Sequence, residues 1–296
     1  MAIIGSVLIA FTRGLFWLWF FIRQDIYRPE PRRLIALTFV LGCIATIPAS
    51  IIEVIFLGDV DLDEGSSLST IAATMLLVVG PVEEVCKFAV VRLKPYRSRF
   101  FDEPMDGLVY AGAASLGFAS LENLLYVAKF GPEVMIGRAP LSTVAHLVFG
   151  SIWGYVLGVH HASAHSRTGL VIVSIGVASI VHATFNVTAL TLPLAAVALV
   201  IGGGIWAFGR FKWGQRNSPF RYRRNYPEVL CLSCDQLIRV TSRFCRFCGV
   251  GIESGPARLF CGHCRKENLP NAGYCTSCGD TIAGRLTLSV SRGLCP

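Results

Sequence analysis

Long apolar stretches alternate with short polar breaks from the start of the chain to residue 209. The stretches cover residues 3–22, 34–58, 68–91, about 106–130, about 140–159 and 169–209. A helix needs ~20 apolar residues to cross a ~30 Å hydrocarbon core. The last stretch is twice that long and divides near Pro193, since proline breaks an ongoing helix and tolerates the first turn of a new one. The pattern therefore predicts an all-α polytopic membrane protein with about seven transmembrane helices. Arg13 falls inside the first span, facing the bundle or reaching toward an interface, and Glu53 near the end of the second reads as interfacial. The fourth is rich in small residues (Gly107, Ala111, Gly112, Ala113, Ala114, Ser115, Gly117, Ala119). Small residues let helices approach backbone to backbone, so this span belongs at the centre of the bundle.

Composition agrees with the pattern. Hydrophobic residues make up 53% of the 296-residue chain and charged residues 16%, against ~25% charged in soluble domains. The net charge of +8 is not an evenly basic surface. Basic residues cluster at 23–33, 92–99 and 210–228, while the loop with Asp59, Asp61, Asp63 and Glu64 is acidic. With seven spans the basic clusters share one side, which places the N-terminus outside and the tail in the cytoplasm of a cell-membrane protein. The start of the chain lacks a basic segment and a small-residue cleavage site, so a signal peptide is not expected. Residues 210–228 carry six basic residues with Trp213, Phe220, Tyr222 and Tyr226. They read as a juxtamembrane linker on the lipid bilayer rather than a nucleic-acid surface.

Ionisable groups inside the spans change the picture most. Charged residues are costly in lipid and mark functional sites by default. Pro81-Val-Glu-Glu-Val-Cys-Lys87 puts Glu83 and Lys87 four apart and Glu84 and Lys87 three apart on one helix. Glu122 and Asn123 follow in the fourth span, His146 in the fifth, and His182 and Asn186, one turn apart, in the sixth. Gly150, four residues after His146, leaves room there for a helix or a substrate backbone. Phe118 shares a face with Glu122. Carboxylates, imidazoles and amides can supply a water-activating base with oxyanion donors. They can equally supply a metal site with a glutamate base. No His-Glu-x-x-His helix is present.

Glu83-Glu84-x-x-Lys87, Asp106-Gly107 leading to Gly117-Phe118-x-x-x-Glu122-Asn123, His146-x-x-x-Gly150 and His182-x-x-x-Asn186, in this order, resemble the motifs of the PrsW family of intramembrane proteases. The segment Asp25…Pro29-Glu30-Pro31 is similar to that family's N-terminal loop. The resemblance covers about residues 1–210. It implies cleavage of a membrane-anchored protein substrate such as an anti-sigma factor. It also implies catalytic roles for Glu83 and Glu84 with His146 and His182 as partners, and leaves a catalytic metal open. Lys87 would stabilise an ionised glutamate, and Glu122, Asn123 and Asn186 complete the candidate catalytic set. Counted at ~1.5 Å per residue, His146, Glu122 and His182 lie ~9, ~12 and ~15 Å below the outer ends of their spans, and Glu83 ~20 Å. The shallower three predict a cavity opening to the extracytoplasmic side. Glu83 joins them only if its helix tilts, starts later or breaks at Pro81.

Eight of the eleven cysteines lie between Cys231 and Cys278. Cys231-x-x-Cys234 and Cys245-x-x-Cys248 recur thirty residues later as Cys261-x-x-Cys264 and Cys275-x-x-Cys278. Paired Cys-x-x-Cys knuckles place four thiolates around tetrahedral zinc. The repeat looks like a tandem zinc ribbon with two structural Zn2+ sites; disulfides are the competing reading, and the reducing cytoplasm expected for the tail opposes them. His263 reads as exposed rather than coordinating. Cys43 and Cys86, alone in spans, read as packing residues.

The expected organisation is a protease domain over 1–209, a basic linker over 210–228, tandem ribbons over 229–280 and a tail over 281–296. The ribbons are expected to bind a cytoplasmic protein rather than nucleic acid. Two other classes compete: a catalytically inactive membrane scaffold acting through the ribbons, and an ion-coupled transporter. The full set of glutamates and histidines opposes the first, and the lack of a repeat between halves opposes the second.

Overall fold

Small side chains decide what packs at the centre. In a computed structural model, the described residues are 2–58, 66–162 and 168–218, with short segments between 228 and 280 (228–230, 233–234, 237–239, 244–245, 247–251, 259–260, 263–264, 267–268, 274–275 and 277–280). The chain forms two compact units, Met1–Pro219 and Phe220–Pro296. The first is helical: α1 (Ala2–Ile22), α2 (Arg32–Leu57), α3 (Leu68–Thr74), α4 (Gly80–Leu93), α5 (Pro104–Phe130), α6 (Val134–Ala162), α7 (Thr168–Thr191) and α8 (Pro193–Asn217).

As its composition predicts, α5 is buried along most of its length. A Cβ on Gly117 would meet the Phe39 carbonyl oxygen at 2.0 Å, and one on Gly42 would meet that of Ala114 at 2.2 Å. Glycine is what lets α2 and α5 touch backbone to backbone. On the opposite side, Cβ atoms on Gly107 and Gly158 would lie 2.1 Å from the Gly154 oxygen and 2.2 Å from the Pro104 oxygen. Gly150 belongs to the same seam, since its Cβ would meet Ser115 Oγ at 2.1 Å. The space beside His146 is therefore filled by α5 and is not open to a substrate.

Among the described residues, five helices are long and apolar enough to cross a membrane: α2, α5, the Pro140–Ala162 part of α6, α7 and α8. The expected seven are not reached by this measure. Over the first predicted span, the helix α1 runs from Ala2 to Ile22, and its fully described part, Ala10–Ile22, is an apolar helix shorter than a membrane span. The third is divided into α3, a π-turn at Met75–Val79, and α4. Pro81 has no N–H and crowds the preceding turn. The widened turn accommodates it, with the Gly80 N–H reaching the Met75 oxygen five residues back. Leu194, Ile205, Phe56 and Ile172 point outward, as lipid-facing side chains do. On α8 the helix continues to Asn217, so the first residues assigned to the linker are helical. The Arg210 guanidinium lies 5.4 Å over the Tyr155 ring, an amphipathic side chain bridging apolar and polar zones.

Hydrogen bonds tie the polar end of this bundle. Gln215 Nε2 donates to the Gln24 carbonyl at 2.7 Å. Tyr110 Oη donates to Glu30, and Ser218 Oγ to Glu103.

In the second unit, β1 (Glu228–Leu230) pairs antiparallel with β2 (Leu237–Arg239), and β3 (Leu259–Phe260) with β4 (Glu267–Asn268). Gly249 and Gly279 have φ of 72° and 74°, a left-handed turn that disfavours other residues. The acidic residues Asp59, Asp61, Asp63 and Glu64, the ligand candidates Cys231 and Cys261, and residues 219–227 and 281–296 lie outside the described residues.

Candidate active site

Four helices bring the intramembrane polar groups to one buried place. Because α4 is regular after the π-turn, Glu83, Glu84 and Lys87 project from one side, and all three are buried. Lys87 Nζ donates to Glu83 Oε2 at 3.1 Å and Glu84 Oε1 at 2.9 Å, and lies 2.9 Å from His146 Nδ1. An ammonium has no lone pair, so Nδ1 accepts and the ring proton sits on Nε2. That nitrogen lies 2.8 Å from Glu122 Oε2. On α7, His182 Nδ1 lies 3.0 Å from Glu84 Oε1 and donates to it, which turns Nε2 toward Glu83 at 3.8 Å. His146 Nδ1 is 3.9 Å from the same Glu83 oxygen. Ligand atoms of Glu83, His146 and His182 all lie within 4.8 Å of one another.

The two adjacent glutamates differ in setting. Glu84 accepts from Lys87, His182 and Trp153, whose Nε1 lies 2.9 Å from Oε2. Glu83 is held through Oε2 and faces both imidazoles. Aromatic rings wall the cluster. Phe118 lies 4.4 Å from Lys87 Nζ, as its position one turn before Glu122 allows, and Phe149 stacks on His182 at 4.7 Å. Glu122, at 14% side-chain exposure, is the carboxylate of the cluster nearest solvent.

The expected amides do not touch the carboxylates. Asn123 Nδ2 donates to Thr143 Oγ1 at 3.2 Å, and Asn186 Nδ2 reaches Met75 Sδ at 3.7 Å. One ties α5 to α6 just before His146, and the other ties α7 to the π-turn. The interfacial reading of Glu53 is not met. Its Oε1 is buried without a hydrogen-bond partner, and its electrostatic neighbours are Glu122 and Lys87. Helix α2 packs on α4 through Ala45, Ala49, Val82 and Cys86 and carries Glu53 inward, with Cys86 a packing residue as expected. Trp153 is not among the charged, imidazole and amide side chains that the sequence points to. Its signal was its place two turns after His146 on the same helix face.

Residues 30–208 match the PrsW family intramembrane metalloprotease. The chain belongs to this family. Protease PrsW of Bacillus subtilis is 32% identical over 174 residues, 58% of this chain and 77% of that protein. Protease PrsW of Geobacillus kaustophilus is 34% identical over 145 residues, 49% of this chain and 62% of that protein, so less than two thirds of its length is spanned. Protease PrsW of Clostridioides difficile is 25% identical over 179 residues. No solved structure matches the chain. As a PrsW-family member with several membrane-length helices, the protein is a multi-pass membrane protein. The matched range holds all four intramembrane groupings and ends before the cysteine-rich unit.

That unit has its own candidate metal centres. Cys234, Cys245 and Cys248 offer sulfurs within 4.8 Å of one another, as do Cys264, Cys275 and Cys278. Cys234 and Cys245 Sγ atoms are 3.6 Å apart, and Cys264 and Cys275 Sγ atoms 3.4 Å. Thiolates ~2.3 Å from a shared tetrahedral zinc would stand ~3.8 Å apart. Backbone N–H groups of Phe247 and Ser277 each point at a knuckle sulfur at 3.4 Å. His263 is exposed, as expected.

Proposed function

We propose that this chain is an intramembrane endopeptidase that hydrolyses a peptide bond in a membrane-anchored protein substrate. An anti-sigma factor is the substrate type its family resemblance implies. The observation that carries this reading is the convergence of Glu83, His146 and His182 within 4.8 Å, buried among four helices. One carboxylate with two imidazoles matches the donor set of His2Glu hydrolases, so these residues fit a divalent metal and would hold it. A bound metal supplies Lewis acidity and lowers the pKa of water.

The protein's own groups do the rest. Glu84 is a positioning residue. Its bond to His182 Nδ1 keeps Nε2 directed at the reaction centre. Lys87 balances the two adjacent carboxylates and holds the lone pair of His146 Nδ1, which it would release to a metal bound there. Glu122, nearest solvent, accepts the proton from the attacking water and returns it to the leaving amine. Asn123 and Asn186 act through the helices they tie. The aromatic walls exclude bulk water, which strengthens every charge interaction inside.

Glu122 lies in the half of α5 away from Glu103 and Ser218. With the basic loops and tail cytoplasmic, its solvent contact faces the extracytoplasmic side. Each ribbon takes one zinc through Cys231, Cys234, Cys245 and Cys248, or Cys261, Cys264, Cys275 and Cys278, and presents a cytoplasmic protein-binding module.

Glu83→Gln in membranes with a cleavable substrate should lower cleavage by at least ~10³-fold, the scale of an essential base or ligand. Helical content by circular dichroism should not change. Full activity of this variant and of Glu122→Gln would refute the mechanism.

A further inference from the structure

A second cluster of acids lies at the opposite end of α5. Asp25 comes from the segment between α1 and α2, Glu103 precedes α5, and Asp106 sits in its first turn. They are 4%, 1% and 0% exposed, and one oxygen from each lies within 4.8 Å of the others. Part of the acceptor capacity is used. Asp106 Oδ2 accepts from the backbone N–H groups of Asp102 and Glu103 at 2.6 and 2.8 Å. Glu103 accepts from Ser218 Oγ through Oε2. Both Asp25 oxygens, Glu103 Oε1 and Asp106 Oδ1 are sealed from solvent and receive no hydrogen bond of good geometry, although the backbone N–H groups of Arg28 and Glu30 lie near Asp25 and the Asp25 and Glu103 carboxyls approach each other. Buried carboxylate oxygens in native folds are paired or coordinate metals. Arg28, whose charge reaches Glu103, pairs with Asp102.

Electrostatics point the same way. Burial first, then the charges of Glu103 and Glu30, push Asp25 up to about 8, against the favourable backbone groups of Arg28 and Glu30. Burial likewise raises Glu103. The fold thus gathers buried carboxyls that resist ionising together, and a divalent cation among them would take the place of the retained protons.

We infer that Asp25, Glu103 and Asp106 form a site for a hard divalent cation, calcium or magnesium, distinct from the intramembrane cluster. The donor set is all oxygen, which selects hard cations over zinc. Ser218 and two backbone amides hold the remaining oxygens of Glu103 and Asp106, as orienting groups do around metal ligands. A cation here joins the segment after α1 to the start of α5. Through Ser218 it also reaches the end of α8, just before the chain continues into the cysteine-rich unit.

Calcium and, separately, magnesium are titrated into the full chain in detergent micelles by calorimetry, with thermal unfolding followed in parallel. One saturable site and a raised unfolding temperature are expected for at least one of the two ions. Asp25→Asn, which keeps the shape and removes a charge, should bind at least ~10-fold more weakly because affinity follows ligand charge. Without the ion it should unfold no lower than the parent. Glu83→Gln should bind as the parent does. If Asp25→Asn does not fold, Glu103→Gln carries the same test. The site is overturned if the parent binds neither ion, if the folded carboxylate variant binds as tightly as the parent, or if Glu83→Gln abolishes binding.

Discussion

Lys87 stands between Glu83, Glu84 and His146, each within 3.1 Å, with no exposed surface. Removing it leaves two buried carboxylates without their cation. Breaking a buried pair from one side typically costs about 3–5 kcal/mol. Lys87→Met should therefore lower the unfolding temperature in detergent as well as abolish cleavage. Trp153 acts differently, since its indole N–H donates to Glu84 from outside the proposed reaction centre. Trp153→Phe keeps the ring packing, and a hydrogen bond to a charged group is worth about 1.5–3 kcal/mol. Cleavage should fall by roughly 10- to 100-fold at a nearly unchanged unfolding temperature, which a kinetic and a thermal assay together would show.

Helix interfaces rest on glycines whose neighbours are backbone atoms. Gly117 faces the Phe39 carbonyl oxygen at 2.0 Å, whereas a Cβ on Gly176 of α7 meets nothing within 4 Å. Gly117→Ala should destabilise by about 1–3 kcal/mol through overpacking and lower activity with it. Gly176→Ala should be neutral or slightly stabilising, by up to about 1 kcal/mol. Thermal unfolding of the pair separates close packing from helix propensity. The π-turn before α4 answers the depth mismatch in the span arithmetic. The break lies just ahead of Pro81, and Glu83 does reach His146 and His182.

The chain continues from a helical, PrsW-family unit into a small cysteine-rich one with two candidate metal centres. Four-thiolate units of this size draw their folding energy from the ion. A strong chelator should release two zinc ions from the cysteine-rich unit and make it protease-sensitive, while circular dichroism of the helical unit holds. Metal analysis with limited proteolysis would check this, and Cys245→Ser should remove one of the two zinc ions.

Membrane class, the central place of α5, the intramembrane glutamates and histidines, and the repeated knuckles were all legible in the chain. Each is written in residue type at short spacing: apolar runs of bilayer length, small residues in series, charges where lipid opposes them, thiols in pairs. Partnership was not legible. Asn123 and Asn186 share spans with candidate catalytic groups but bond to Thr143 and Met75. Glu53 read as interfacial but lies inward. Asp25 lies some eighty residues before Glu103 and Asp106 in the chain and meets them only because the segment after α1 packs against the start of α5. Helical periodicity tells which way a side chain leaves its own axis. The rotation and depth of one helix against another are set by glycine seams and the π-turn, and only packing decides which glutamate faces the imidazoles.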